Sequence, residues 1–116
     1  MPGQKVLPSL AMKLIAVYTT VATLEDARRL AKALVERKLA ACAQITAIES
    51  FYAWNGAVQD APEWRVLFKT TAAQYAAVEA AIRELHTYEL PALYAVAIEH
   101  SFAPYAAWVE EGSCGE

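Results

Sequence analysis

Asn55-Gly56 divides residues 39–70, LAACAQITAIESFYAWNGAVQDAPEWRVLFKT, into two long, apolar, β-rich arms. Asn-Gly is the strongest short-range hairpin signal, because a type I′ turn needs positive φ at both central residues. Asn tolerates that conformation and Gly accepts it without steric cost. The stretch predicts one antiparallel hairpin, and a two-residue turn sets Trp54 opposite Ala57, Ala53 opposite Val58 and Tyr52 opposite Gln59. Strands usually run about 5–6 residues, so this ribbon is roughly twice the ordinary length and is expected to extend past its own sheet. Its tip carries Phe51, Tyr52 and Trp54, and Trp64 lies on the returning arm. Free in water, such a surface is an aggregation hazard, so the hairpin alone predicts self-association. Tyr52, Trp54 and Trp64 read as interface anchors, with ligand stacking as the alternative.

The flanking segments supply the rest of a domain. Residues 12–21, MKLIAVYTTV, form a nearly continuous apolar and β-branched run, the pattern of a central strand covered on both faces. Thr23 followed by Asp26 is a capping-box signal, and Leu24, Ala27, Leu30, Ala31, Leu34 and Val35 make one helical stripe behind it. Arg37 and Lys38 suit the negative end of that helix. In the first hairpin arm Ile45 is odd-numbered, whereas Ile48, Tyr52 and Trp54 are even-numbered, which predicts a bulge near Thr46 and Ala47. Pro62 predicts an edge position or a bulge on the return arm. Thr71 with Gln74 repeats the capping logic, and Tyr75, Val78, Ile82 and Leu85 form a second helical stripe that ends near His86. Residues 93–99 read as another strand, with His100 at its end. Pro104 opens a short last helix, with Tyr105, Trp108 and Val109 facing inward and Gly112 as its C-terminal cap.

The order is strand, helix, strand, strand, helix, strand, short helix. That is an α+β, ferredoxin-like βαββαβ arrangement with a long hairpin between the second and third strands. Residues 1–12 read as a frayed leader, 13–112 as the domain and 113–116 as a tail. Both long helices would cover one face of a four-stranded sheet. The bare opposite face is a second argument for an oligomer.

The net charge of −3, with ten Lys and Arg and no basic run, argues against nucleic-acid binding. No apolar run approaches the roughly 20 residues of a membrane span. Cys42 and Cys114 form no C-x-x-C pair and suggest no disulfide framework, which points to a reducing cytoplasm. Cys42 reads as a small core hydrophobe and Cys114 as an exposed thiol. No Ser-His-Asp or Cys-His set is recognisable, so no enzymatic activity is expected. His86 has two readings. One is a helix-terminal imidazole bonded to backbone carbonyls; the other is a ligand acting with Glu89, or with Glu63 of another subunit. Glu63, Lys69, His86, Tyr88 and Glu89 together are the candidate lining of an inter-subunit cleft.

Several short pieces follow one another in order: Leu39-Ala40-Ala41-Cys42, Ser50-x-Tyr52-x-Trp54-x-Gly56, Glu63, Lys69-Thr70, His86-x-Tyr88, Pro91 and Tyr105-x-x-Trp108. On that ordered set the chain resembles the CutA, or divalent-cation tolerance, family over residues 13–112. The resemblance implies a ferredoxin-like subunit that forms a homotrimer through its long hairpins, with a shape similar to that of PII signalling proteins. It also implies a role in tolerance of copper and other divalent cations; no cofactor is expected to be required, and a weakly bound divalent metal, copper, is the one candidate. The metal ligands implied by the family fall on Thr19, His86 and Ala92 in this chain, and the family's H-P-Y motif reads His86-Thr87-Tyr88. The expectation is therefore a trimeric, cytoplasmic, non-enzymatic protein of cation tolerance, with His86 the one matching ligand. The alternative is a PII-like sensor that binds a small ligand in its inter-subunit clefts.

Overall fold

The computed structural model describes residues 13–115 of the 116-residue chain. The expected leader, and Met12 at the start of the first strand, lie outside these residues. The elements are β1 (Leu14–Val21), α1 (Leu24–Glu36), β2 (Cys42–Trp54), β3 (Ala57–Thr71), a 3-10 turn (Ala72–Gln74), α2 (Tyr75–Leu85), β4 (Leu93–Ile98) and α3 (Ala103–Gly112). The four strands form one antiparallel sheet in the order β2-β3-β1-β4. This is the expected α+β, ferredoxin-like topology.

The core lies between the sheet and the two long helices. Val17 sits at the centre of the ladder, opposite Phe68 on one side and Ala95 on the other. Ile15, Val21, Val66 and Phe68 meet Ala27, Leu30 and Leu34 of α1 and Val78, Ala81 and Ile82 of α2. Removing one such large side chain from water contributes about 1.5–3 kcal/mol, so this cluster is the main source of subunit stability. Helix α1 begins as its sequence predicts, since the Thr23 hydroxyl accepts the Asp26 N–H at 3.0 Å. It ends in a Schellman motif. Lys38 adopts φ 57°, Leu39 N–H donates to the Leu34 carbonyl at 3.0 Å, and Lys38 N–H donates to that of Val35 at 3.0 Å.

The hairpin turn holds Asn55 at φ 52° and Gly56 at φ 78°, and its register gives the three predicted pairs. The predicted bulge is absent, because pairing runs unbroken from Cys42 opposite Lys69 to Trp54 opposite Ala57. The apolar residues change phase for a different reason: their cover changes. Near the base, Ala43 and Ile45 pack on the core under the helices. The last β1 partner of β3 is Val21, opposite Trp64. Beyond it, residues 57–63 have only β2 beside them. This free ribbon is about 20 Å long at roughly 3.3 Å per residue. It stretches the molecule to 60 × 25 × 21 Å. Pro62 falls within it, at the expected edge position.

Two capping predictions need correction. Thr71 makes no side-chain cap bond, and a 3-10 turn separates it from α2, while the following Ala72 N–H donates to the Lys13 carbonyl. Gly112 is the last residue of α3 and is not its cap, which falls at Ser113. Its lack of a side chain serves packing, since a Cβ there would stand 3.0 Å from that of Ala41. The tail is tied down as far as Gly115, whose N–H reaches the Lys38 carbonyl at 2.9 Å.

Candidate functional site

At the end of α2 the chain leaves the helix at His86, an extended residue whose N–H still donates to the Ile82 carbonyl at 2.8 Å. The imidazole then lies across the end of β1. Its Nε2 is 2.9 Å from the Thr20 carbonyl, and the Tyr88 N–H donates to Nδ1 at 3.0 Å. A carbonyl only accepts, so Nε2 carries the proton; Nδ1 uses its lone pair on Tyr88. These bonds fix the neutral Nε2–H tautomer. Burial holds the imidazole pKa below its ordinary value, against smaller opposing effects from the Thr20 carbonyl and from Asp26.

Tyr88 continues the network. Its hydroxyl donates to Glu63 Oε2 at 2.7 Å, and its ring lies 5.0 Å from that of His86. Burial, followed by the bond to Glu63, raises the phenol pKa strongly, so the hydroxyl stays a donor at every physiological pH. Glu63 lies one residue past the end of the β1 ladder, so the 86–92 loop is fastened to both β1 and the start of the free ribbon.

The structure thus brings together Glu63, His86 and Tyr88. Glu89 stands exposed on the same loop, in a shallow cleft with Arg83, Glu84 and Pro91. Lys69 does not join them. It pairs with Ala16 and Cys42, six residues along β3 from Glu63. That is about 20 Å away at strand rise. Within one chain Lys69 therefore stands apart from His86 and Tyr88. Trp64 is half-buried already within one chain. It faces Val21 and Ala47 and packs against the helix-side core of its own subunit. Tyr52 and Trp54 do remain exposed, beside Phe51 at 64% and Val58 at 75%.

The residues at the implied ligand positions form no metal set. Thr19 is fully buried and its hydroxyl has no hydrogen-bond partner, while Ala92 is an exposed methyl. Among the described residues, no three His, Cys, Asp or Glu side chains gather at metal distance. His86 as placed offers no free lone pair, which a metal requires.

Sequence reasoning missed the pattern on the sheet face opposite α1 and α2. Tyr18 and Tyr94 stack there at 5.2 Å, with the Arg65 guanidinium 5.8 Å from the Tyr18 ring. Tyr94 and Val96 are about half exposed. Their even numbering on β4 was the available signal, hidden by the unbroken apolar character of both strands.

Comparison with known proteins bears on all of this. The family described as CutA1 divalent ion tolerance protein matches over residues 15–112. The divalent-cation tolerance protein CutA of Archaeoglobus fulgidus is 37% identical over 95 residues, covering 82% of this chain and 93% of its own. That of Thermotoga maritima is 34% identical over 98 residues, covering 84% and 97%. Among solved structures, CutA1 from Oryza sativa superposes with a TM-score of 0.86 at 33% identity, covering 89% of this chain and 95% of that one. The structure described as the periplasmic divalent cation tolerance protein CutA from Archaeoglobus fulgidus gives 0.84 at 35% identity, covering 86% and 98%.

Proposed function

Because the chain belongs to the CutA divalent-ion tolerance family, we propose that it acts in divalent-cation tolerance, copper included, as a non-enzymatic homotrimer. The observation that supports assembly is the free ribbon. Phe51, Tyr52, Trp54 and Val58 are exposed on it, and the open sheet face adds Tyr94 and Val96. Phe51 and Val58 fall on one face of the ribbon and Tyr52 and Trp54 on the other, and large apolar side chains exposed on both faces of a free ribbon mark an interaction surface. Two free thiols among the described residues suit a reducing compartment, so the proposed location is the cytoplasm.

The cation is the object of this function and has no resident site at His86. Both ring nitrogens are spent on Thr20 and Tyr88, and Thr19 and Ala92 offer no soft ligand. Role and ligand are therefore separate: His86 fastens a loop, and cation tolerance does not run through its imidazole. PII-like sensing, the alternative, draws on inter-subunit clefts; Glu63, His86 and Tyr88 meet within one chain, and Lys69 lies six residues along β3 from Glu63.

A calorimetric copper titration under reducing conditions tests the metal part. The chain carrying Cys114→Ser is compared with the same chain carrying His86→Ala as well. Equal, weak binding in both is expected. Tight binding of one ion per chain that disappears with His86→Ala would overturn this reading.

A further inference from the structure

The free ribbon needs a fixed direction if it is to meet another chain, and strand pairing alone does not supply one. Past Val21 opposite Trp64, residues 57–63 have only β2 beside them. Two-stranded ribbons twist more than wide sheets and over a broad range. A swing of roughly 10° at the base of a ribbon about 20 Å long moves its tip by about 3–4 Å. Such a displacement is as large as a non-bonded contact itself. One strut meets the ribbon at its root, where the Tyr88 hydroxyl donates to Glu63 Oε2 at 2.7 Å. Among the described residues, this is the one hydrogen bond or ion pair that ties residues 57–63 to anything other than the two hairpin strands. The acceptor is a carboxylate and both residues are half-buried, the setting in which such a bond is short and strong. The other end of the strut is anchored twice. Tyr88 N–H donates to His86 Nδ1 at 3.0 Å, and His86 holds β1 through the Thr20 carbonyl and α2 through the Ile82 carbonyl. A continuous line of bonds therefore runs from the packed body of the subunit to the first residue beyond the β1 ladder.

We propose that Tyr88 and Glu63 are positioning residues for assembly: their bond fixes the angle of the ribbon, so each subunit presents it to the next already oriented. This inference rests on the homotrimer reading. The bond forms within one chain before association, so it acts on assembly through preorganisation and not as a contact across the interface. Without it, the ribbon must be immobilised at the moment of docking, and the assembled chains are held less firmly.

The test is subunit exchange between light and heavy-isotope forms of the same full-length chain, followed by native mass spectrometry. It reads the effect however tight the trimer is, because changes in affinity fall mostly on the rate of dissociation. Tyr88→Phe removes one oxygen and keeps the ring, and it is expected to speed exchange by about tenfold. Glu63→Ala should do the same. Glu63→Gln keeps an acceptor and should stay within about threefold of the native rate. Tyr88→Phe combined with Glu63→Ala should exchange no faster than either single variant, since both break one bond. Hydrogen exchange at the Phe68 amide should be unchanged in all four variants, which separates a misdirected ribbon from a weakened subunit. A native chain that shows no trimer overturns the homotrimer reading and this inference with it. A native trimer in which Tyr88→Phe exchanges at the native rate overturns the inference alone. So do single effects that add up in the double variant, or a loss of protection at Phe68 that matches the gain in exchange.

Discussion

The two halves of the hairpin share one ladder and one register but have opposite surroundings. Near its base, Val66 and Phe68 are fully buried under α1 and α2. Beyond the end of β1, Trp54 is 59% exposed and Val58 75% exposed on the same two strands. Backbone pairing therefore sets where side chains point, and the covering layer decides what they contribute. The base draws its stability from its own chain. The distal ribbon gains comparable stabilisation only against another surface, because an isolated two-stranded ribbon is marginal in water.

That contrast can be broken most forcefully at the base. Phe68→Ala should cost about 3–5 kcal/mol through lost transfer energy and the cavity left behind. Denaturant unfolding should show the same cost at every protein concentration. Trp54→Ala should cost roughly 2 kcal/mol, the range of an aromatic interface anchor, with a midpoint that moves with concentration. A concentration-independent loss at Trp54 would erase the distinction between the two halves.

The latch at the end of the sheet gives a pH effect. Burial lowers the His86 pKa in the folded chain, so unfolded chains take up the proton first. Stability should be fully present above the ordinary value of 6.5 and should decline as pH falls below it. His86→Gln should flatten that part of the denaturant-midpoint profile, whereas an unchanged slope would place the titrating group elsewhere.

Smaller effects sharpen the picture of the base. Thr19 buries a hydroxyl that has no partner, so Thr19→Val should stabilise the fold by about 1 kcal/mol. A loss would mean that the hydroxyl is bonded in solution. Lys38 carries the left-handed residue of the Schellman motif, where Gly incurs no Cβ penalty. Lys38→Gly should raise stability by roughly 0.5–1 kcal/mol, read from the thermal midpoint.

Much of the fold was legible because it is written locally. Asn55-Gly56 fixes the turn, and Thr23 with its following stripe fixes α1. The bulge was misread because a change of apolar phase can mean a change of cover as well as a change of register. The packing of Trp64 follows from the same register. A two-residue turn pairs even positions on β2 with odd positions on β3, so Trp64 shares a face with Ala47 and not with Tyr52. At the candidate site, His86 was legible as a helix terminus. Its bond to the Thr20 carbonyl spans 66 residues of sequence, so neither nitrogen's occupancy is encoded near it. Lys69 and Glu63 are both polar on one strand, but six residues of β3 keep them from pairing with each other within one chain.

Assembly through the distal ribbon has a direct physical readout in the mass of the particle in solution. Sedimentation equilibrium of the native chain at micromolar concentration tests it most directly. The expected result is the mass of three chains, with Trp54→Asp shifting the equilibrium toward single chains. A native chain that sediments as a monomer at that concentration would contradict it.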